Sequence, residues 1–365
     1  MKRCIRCTLP DTRPDTHFND SGLCSACSSF DARATVDWSE RRADLERILE
    51  GGKNSSGYDC IVASSGGKDS HFQVRTLLDM GAKPLIVTAR TDYITPIGQR
   101  NIDNLARYAD TYNVVPNIAT RLKLCRLGFE LVGDISWPEH AAIFSTPIRV
   151  AAQLGIPLVF YGENPQNQYG GPPGSGNERR MTRRWVHEYG GLLGLRANDF
   201  VGMEGLAHAD MHPYMLPEDD ALGRVETYFL GQFVPWDSQR NIYVARSMGM
   251  VGFKPSVANL WDLENVDNLF TAVHDHLMYR KYGFGRGGAQ MAVDVRHGLI
   301  GRDYALDWLG EYDGIYPDQY AGLDMSVIPQ LLGTTDAAYW GTMDSFTNWG
   351  LFGEEVDHRP ILKPC

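Results

Sequence analysis

The stretch YDCIVASSGGKDSHFQVRTLL, residues 58–78, decides how the chain is read. Its first half, Tyr58 to Ala63, is an apolar run the length of a buried strand, and its second half sets Phe72, Val74, Leu77 and Leu78 in an apolar-periodic helical pattern. Between them, Ser64-Ser-Gly-Gly-Lys-Asp-Ser70 has to turn the chain. Gly66 and Gly67 tolerate unusual φ and allow close approach to the backbone. A helix starting there aims unpaired N–H groups and a positive dipole end into the turn. Ser65 and Ser70 add hydroxyls and Lys68 a point charge, so the segment describes a phosphate cradle. It is not a Walker A loop: Asp69 follows Lys68 where that motif has Ser or Thr, and the glycine spacing differs.

Downstream the pattern alternates. Residues 83–90 read as a strand, 98–112 as a helix, 114–119 as a strand, 121–131 and 138–155 as helices, and 156–161 as a strand. Strands separated by helices imply right-handed crossovers and a parallel, doubly wound α/β sheet. Ligands of such sheets bind at the carboxyl ends of the strands. That gathers Ser65–Ser70, Thr88 and Gly162-Glu163-Asn164 around one crevice. Upstream, residues 38–49 read as a helix. From about Gly170 the rhythm is lost and the chain, rich in Gly, Trp and Tyr, reads as mainly helical with long loops. The expected organisation is a knuckle segment (1–37), a nucleotide domain (38–170) and a helical region for acceptor or partner (171–365).

The knuckle reading comes from Cys4-Ile-Arg-Cys7 and Cys24-Ser-Ala-Cys27, two CxxC pairs that can set four thiolates tetrahedrally around one Zn²⁺. The loop residues between them cannot build a core, so a structural metal would supply the folding energy. Of the other cysteines, Cys60 reads as core and Cys365 as an exposed tail thiol. The 365 residues carry 35 basic and 45 acidic side chains, a net −10, which argues against a general nucleic-acid binder. At 43% apolar and 22% charged the chain is an ordinary globular protein. The start MKRCIRCTLPDTRPD has no secretory apolar region. The most apolar stretch, 141–161, is broken by Pro147, Arg149, Gln153 and Pro157, so a cytoplasmic protein with no membrane partner is expected.

The SGGKDS loop after a buried strand resembles the PP-loop ATP pyrophosphatases, of adenine nucleotide alpha hydrolase-like fold. Further segments narrow the likeness: the CxxC pairs with Pro10-Asp-Thr-Arg-Pro14, Gly133-Asp-Ile-Ser-Trp-Pro-Glu-His140, Tyr161-Gly-Glu-Asn-Pro-Gln166, Gln168-Tyr-Gly-Gly171 and Lys281-Tyr-Gly-Phe-Gly-Arg286. Together they are similar to the N-acetyl sugar amidotransferase family over residues 1–325. The resemblance implies ATP- and Mg²⁺-dependent adenylation of an acetamido oxygen on a surface-polysaccharide precursor, with pyrophosphate released and ammonia attacking to form an amidine. It implies a nucleotide-linked or free acetamido sugar as acceptor and a separate glutaminase subunit as ammonia source. By the same likeness Lys68 and Asp69 serve the phosphates and metal, Thr88 the adenine, and Glu163 and Asn164 the acceptor or a cation. Trp137, His140, Gln168 and Tyr169 would contact substrate. Arg286, in the glycine-rich KYGFGRGG, reads as a flexible cation that could close over phosphates, set against a plain surface loop.

Cys125 departs from the family, which tends to carry Asn there. A thiolate near the adenylated carbon makes a sulfur transferase an open alternative, set against a small buried helix residue. A non-catalytic nucleotide-binding scaffold is the second alternative. His208, Asp210 and His212 share a metal-like spacing but lack a fourth ligand, and His274-Asp275-His276 reads as a helix face feeding the crevice through one histidine. The chain carries no Gly-x-Cys-x-Gly elbow with which to hydrolyse glutamine itself.

Overall fold

The computed structural model describes residues 1–54, 56–91, 93–172 and 174–364; Cys365 lies outside them. Five parallel strands form the central sheet: β1 (Cys60–Ser64), β2 (Pro84–Ala89), β3 (Thr111–Val114), β4 (Leu158–Tyr161) and β5 (Glu226–Phe229), in the order β3-β2-β1-β4-β5. The order reverses between β1 and β4, which is where a doubly wound sheet opens a crevice.

The strands bury both faces. Ile61, Leu85, Val87, Val159 and Tyr161 point to one side, where they meet α5 (Ile118–Val132) and α6 (Trp137–Leu154) through Leu124, Trp137, Ala141 and Ile148. Cys60, Val62, Ile86, Leu158 and Phe160 point to the other, against α2 (Trp38–Gly51) and α3 (Lys68–Asp79) through Leu45, Phe72, Val74 and Leu77. This period-2 split of an all-apolar run is what a sheet covered on both faces requires.

Three expectations are corrected. The strand expected at 114–119 ends at Val114, and α5 begins at Ile118. Pro116 cannot extend the ladder, and the Asn117 side chain accepts the N–H groups of Ala119 and Thr120, an N-cap that starts the helix. The helix expected over 98–112 is α4 (Pro96–Leu105), started by Thr95 with Pro96 in the first turn. The region after Gly170 is not free of the sheet: Glu226–Phe229 adds the fifth strand beside β4. Four residues, Glu-Thr-Tyr-Phe, are too few for a periodic signal to stand out.

The remaining chain packs around the carboxyl end of the sheet. The helices Thr271–Tyr282 and Arg286–Arg296 carry much of it. The tail clasps the first of them from behind: buried Arg280 meets Asp344 at 2.8 Å and Glu355 at 2.9 Å and donates to the His358 carbonyl. The cysteine segment, which runs into α1 (Ser25–Arg33), packs on the second and on its approach through Phe284, Ala289 and Ala292. No helix among the described residues is long and apolar enough to cross a membrane.

Candidate active site

The turn after β1 is held open by local hydrogen bonds. The Ser70 hydroxyl accepts the Ser65 N–H at 3.0 Å, Ser64 Oγ the Gly66 N–H, and Ser65 Oγ the Gly67 N–H. Gly66 has φ +82°, and a Cβ there would sit 2.7 Å from Ile102 Cγ1, so both conformation and space demand glycine. His71 locks the turn from below, with Nδ1 3.0 Å from the Gly67 carbonyl and Nε2 3.0 Å from Asn104 Nδ2. No side chain caps α3, so its first turn leaves N–H groups facing the turn.

This loop forms one wall of a cleft of about 260 Å³. Lys68 is 4% exposed, with Nζ 2.7 Å from Asp69 Oδ2, 3.5 Å from Glu264 Oε1 and over the Trp261 ring. Burial alone would lower its pKa, but the Asp69 and Glu264 carboxylates hold it above the usual lysine range. Asp69 is fixed by Asn241 Nδ2 at 2.8 Å, and Glu264 by Gln290 Nε2 at 2.6 Å. Burial pushes the Glu264 carboxyl up, yet Lys68 and Arg286 bring it below the ordinary value.

The facing wall is drawn from distant segments: Glu139 and His140 of α6, the loop Leu263–Asp267, and Thr271, His274 and Arg286. The loop is pinned to the N-terminus of α4, where the Thr95 N–H donates to the Asp267 carbonyl at 2.9 Å. A Cβ on Gly98 would lie 2.6 Å from Asp267 Cα, so only glycine permits this approach. Burial, then Glu139, raises the Asp267 carboxyl to about 7. Arg286 is not the flexible loop cation expected. It opens a helix and meets Asp275 at 3.1 Å, and the Asp313 carboxylate accepts the Gly285 and Gly288 N–H groups on either side.

Seven of the expected residues therefore line this cleft: Ser65, Gly66, Gly67, Lys68, Asp69, His140 and Arg286. Others do not. Trp137 is fully buried between the sheet and Phe200 and donates to the Leu192 carbonyl, a packing role. Asn164, also fully buried, accepts the Gln166 N–H and donates to the Ser175 carbonyl, capping the short helix Pro165–Tyr169. Thr88 ends up 2% exposed within β2. Cys125 is 1% exposed among Phe129, Ile135, Leu269 and Tyr339 and does not reach the cleft. Glu163 and Gln168 line a neighbouring hollow with Arg33, Arg296 and Trp236. There burial, then Asp69, raises the Glu163 carboxyl to about 8 against the pull of Lys68 and Arg33. The Tyr169 phenol is raised by burial, then Glu264, and its ring stacks under Arg13. His274 enters the cleft while His276 is buried against Arg280, at 2.9 Å.

The residues that the sequence did not mark are Asp134, Glu139, Glu264 and Asp267. Asp134 and Glu139 lie within the Gly133–His140 segment already quoted; no local pattern singles out Glu264 or Asp267.

The four cysteine sulfurs lie within 4.8 Å of one another, all buried, with Cys4–Cys27 at 3.8 Å and Cys7–Cys24 at 3.6 Å. A tetrahedron with metal–sulfur bonds of roughly 2.3 Å has edges of about 3.8 Å. The donor set thus fits a closed structural metal. The segment is tied to the rest of the chain: Arg13 donates to the Gly170 carbonyl and Arg302 to that of Cys4.

Residues 255–359 match the family described as LPS biosynthesis protein WbpG-like, C-terminal domain. The match covers less than a third of the chain and includes Glu264, Asp267, His274 and Arg286 of the facing wall, while Glu139 and His140 lie outside it. Over this stretch the chain is similar to a polysaccharide-biosynthesis family. The comparison with curated proteins returns no match.

Proposed function

We propose that the chain is an ATP-dependent amidotransferase of the PP-loop pyrophosphatase type. It adenylates the oxygen of an acetamido group on a surface-polysaccharide precursor, and ammonia then displaces AMP to leave an amidine. One juxtaposition carries the reading: a lysine-bearing glycine turn at the carboxyl end of β1 faces, across one cleft, a wall similar to an LPS-biosynthesis family.

An amide oxygen is a poor leaving group, and adenylation makes it a phosphate ester that leaves as AMP. Lys68 and the first N–H groups of α3 would hold the phosphates and stabilise charge as pyrophosphate departs. Asp69 and Glu264, which share Lys68, would hold Mg²⁺ together with phosphate oxygens. The ion would neutralise charge on the triphosphate. Arg286 faces the same space, and Asp267, with a carboxyl near 7, would accept the proton released as ammonia adds. Ammonia would come from a separate glutaminase subunit.

The test is incubation with ATP, Mg²⁺, ammonium and a nucleotide-linked acetamido sugar, read by mass. An acceptor lighter by about 1 Da supports O-to-NH exchange; a gain of about 16 Da would mean sulfur, by atomic-mass arithmetic on a displaced activated oxygen. ATP binding without any turnover would favour a scaffold.

A further inference from the structure

We infer that Asp134, His140 and His274 form a second metal centre, an open two-histidine, one-carboxylate site for a divalent transition-metal ion at the rim of the cleft. Asp134 sits in the turn between α5 and α6, His140 in the first turns of α6, and His274 on the helix Thr271–Tyr282. The fold brings these three segments together: the tail clasps the His274 helix from behind, and the Ser136 N–H donates to Asp134 Oδ1 at 2.9 Å, fixing the carboxylate.

One potential ligand atom from each residue lies within 4.8 Å of the others. His274 Nδ1 stands 2.9 Å from Asp134 Oδ1, and His140 Nδ1 3.3 Å from Asp134 Oδ2. Metal–nitrogen and metal–oxygen bonds of about 2.0–2.2 Å give ligand–ligand edges of roughly 3.0–3.5 Å, so both separations suit a shared ion. The second observation is the setting of one ring nitrogen. His140 Nδ1 is buried and lacks an in-line hydrogen bond, meeting the Asp134 carboxylate only as an ion-pair contact. A shared cation would satisfy both groups. The two imidazoles meet edge to face, 5.2 Å between centroids, on the same carboxylate.

Both histidines line the cleft while Asp134, 4% exposed, stands behind them. Three protein ligands leave coordination positions open, the pattern of a reactive rather than a structural metal. Those positions face the cleft and would take an oxygen donor of the acceptor. Nitrogen and oxygen ligands separate this centre from the four-sulfur cluster in metal preference as well as in place.

Metal binding stands on these side chains alone; only the assignment to the acceptor rests on the proposed function. The experiment uses the full chain with its cysteine cluster left loaded and titrates Co²⁺ against visible absorption. One equivalent with a nitrogen–oxygen ligand-field spectrum and no thiolate charge-transfer band is expected. His274→Ala and the milder His274→Gln should each weaken that binding by at least about tenfold, with unchanged thermal unfolding showing an intact fold. Saturation that ignores both variants, or a spectrum of thiolate character alone, would overturn the site. Co²⁺ binding without pyrophosphate chemistry would sink the proposed function and leave this centre standing.

Discussion

The two walls of the cleft are built in opposite ways. The wall at β1 is five consecutive residues, Ser65–Asp69, held by hydrogen bonds among neighbours, Ser70 included, and closed by His71. The facing wall takes Glu139, Glu264, Asp267, His274 and Arg286 from segments up to 147 positions apart, tied by long-range contacts such as Glu139–Asn268, Glu264–Lys68 and His274–Asp134. A local wall is in place wherever the strand–turn–helix folds. A dispersed wall depends on the tail, the cysteine cluster and the glycines that let its parts approach. Damage should therefore divide: changes in the turn cut activity without loss of stability, and changes under the far wall cost stability first.

The largest effect tests the local wall. Lys68→Ala should lower AMP formation by the scale set by removing one preorganised electrostatic donor, about 2.7–4 kcal/mol or two to three orders of magnitude. A variant near wild-type rate would break the comparison.

Cys24→Ser tests the support of the far wall. If it weakens metal binding about a hundredfold, stability falls by about 2.7 kcal/mol under saturating metal. Thermal unfolding with metal analysis reads this, and an unchanged melt with unchanged metal content would show that the cluster holds nothing.

That division also explains what was legible in the sequence. The turn was readable because glycine, serine and lysine carry their meaning at adjacent positions. Motif residues were less informative: Trp137 and Asn164 turned out to fill the core and cap a helix, since a motif marks importance without saying whether for packing or chemistry. Asp134, Glu264 and Asp267 acquire meaning only from neighbours that folding supplies. β5 was lost to its brevity, and the α5 start to a strand reading that ignored Asn117 as a cap.

Glu163 sharpens the picture from the hollow beside the turn. Its carboxyl titrates near 8 in the fold against an ordinary 4.5. The unfolded chain therefore releases this proton first, and the site's contribution to stability falls as pH rises between those values. Glu163→Gln should gain stability relative to wild type across that window, with little difference below it. Parallel melting curves at every pH would show that burial does not hold the proton.

The smallest effect belongs to Cys125, which packs behind the far wall. Cys125→Ala should leave ammonium-dependent turnover unchanged, because the residue is buried in the cluster of Phe129 and Leu269 and does not line the cleft. Loss of turnover in a variant that still melts normally would restore the sulfur-transfer reading.

On the proposed function, ATP is cleaved between its α and β phosphates. Phosphorus NMR of the products formed with ammonium and a nucleotide-linked acetamido sugar tests it most directly. AMP and pyrophosphate are expected in equal amounts, with labelled pyrophosphate returning into ATP. Formation of ADP and inorganic phosphate would contradict it.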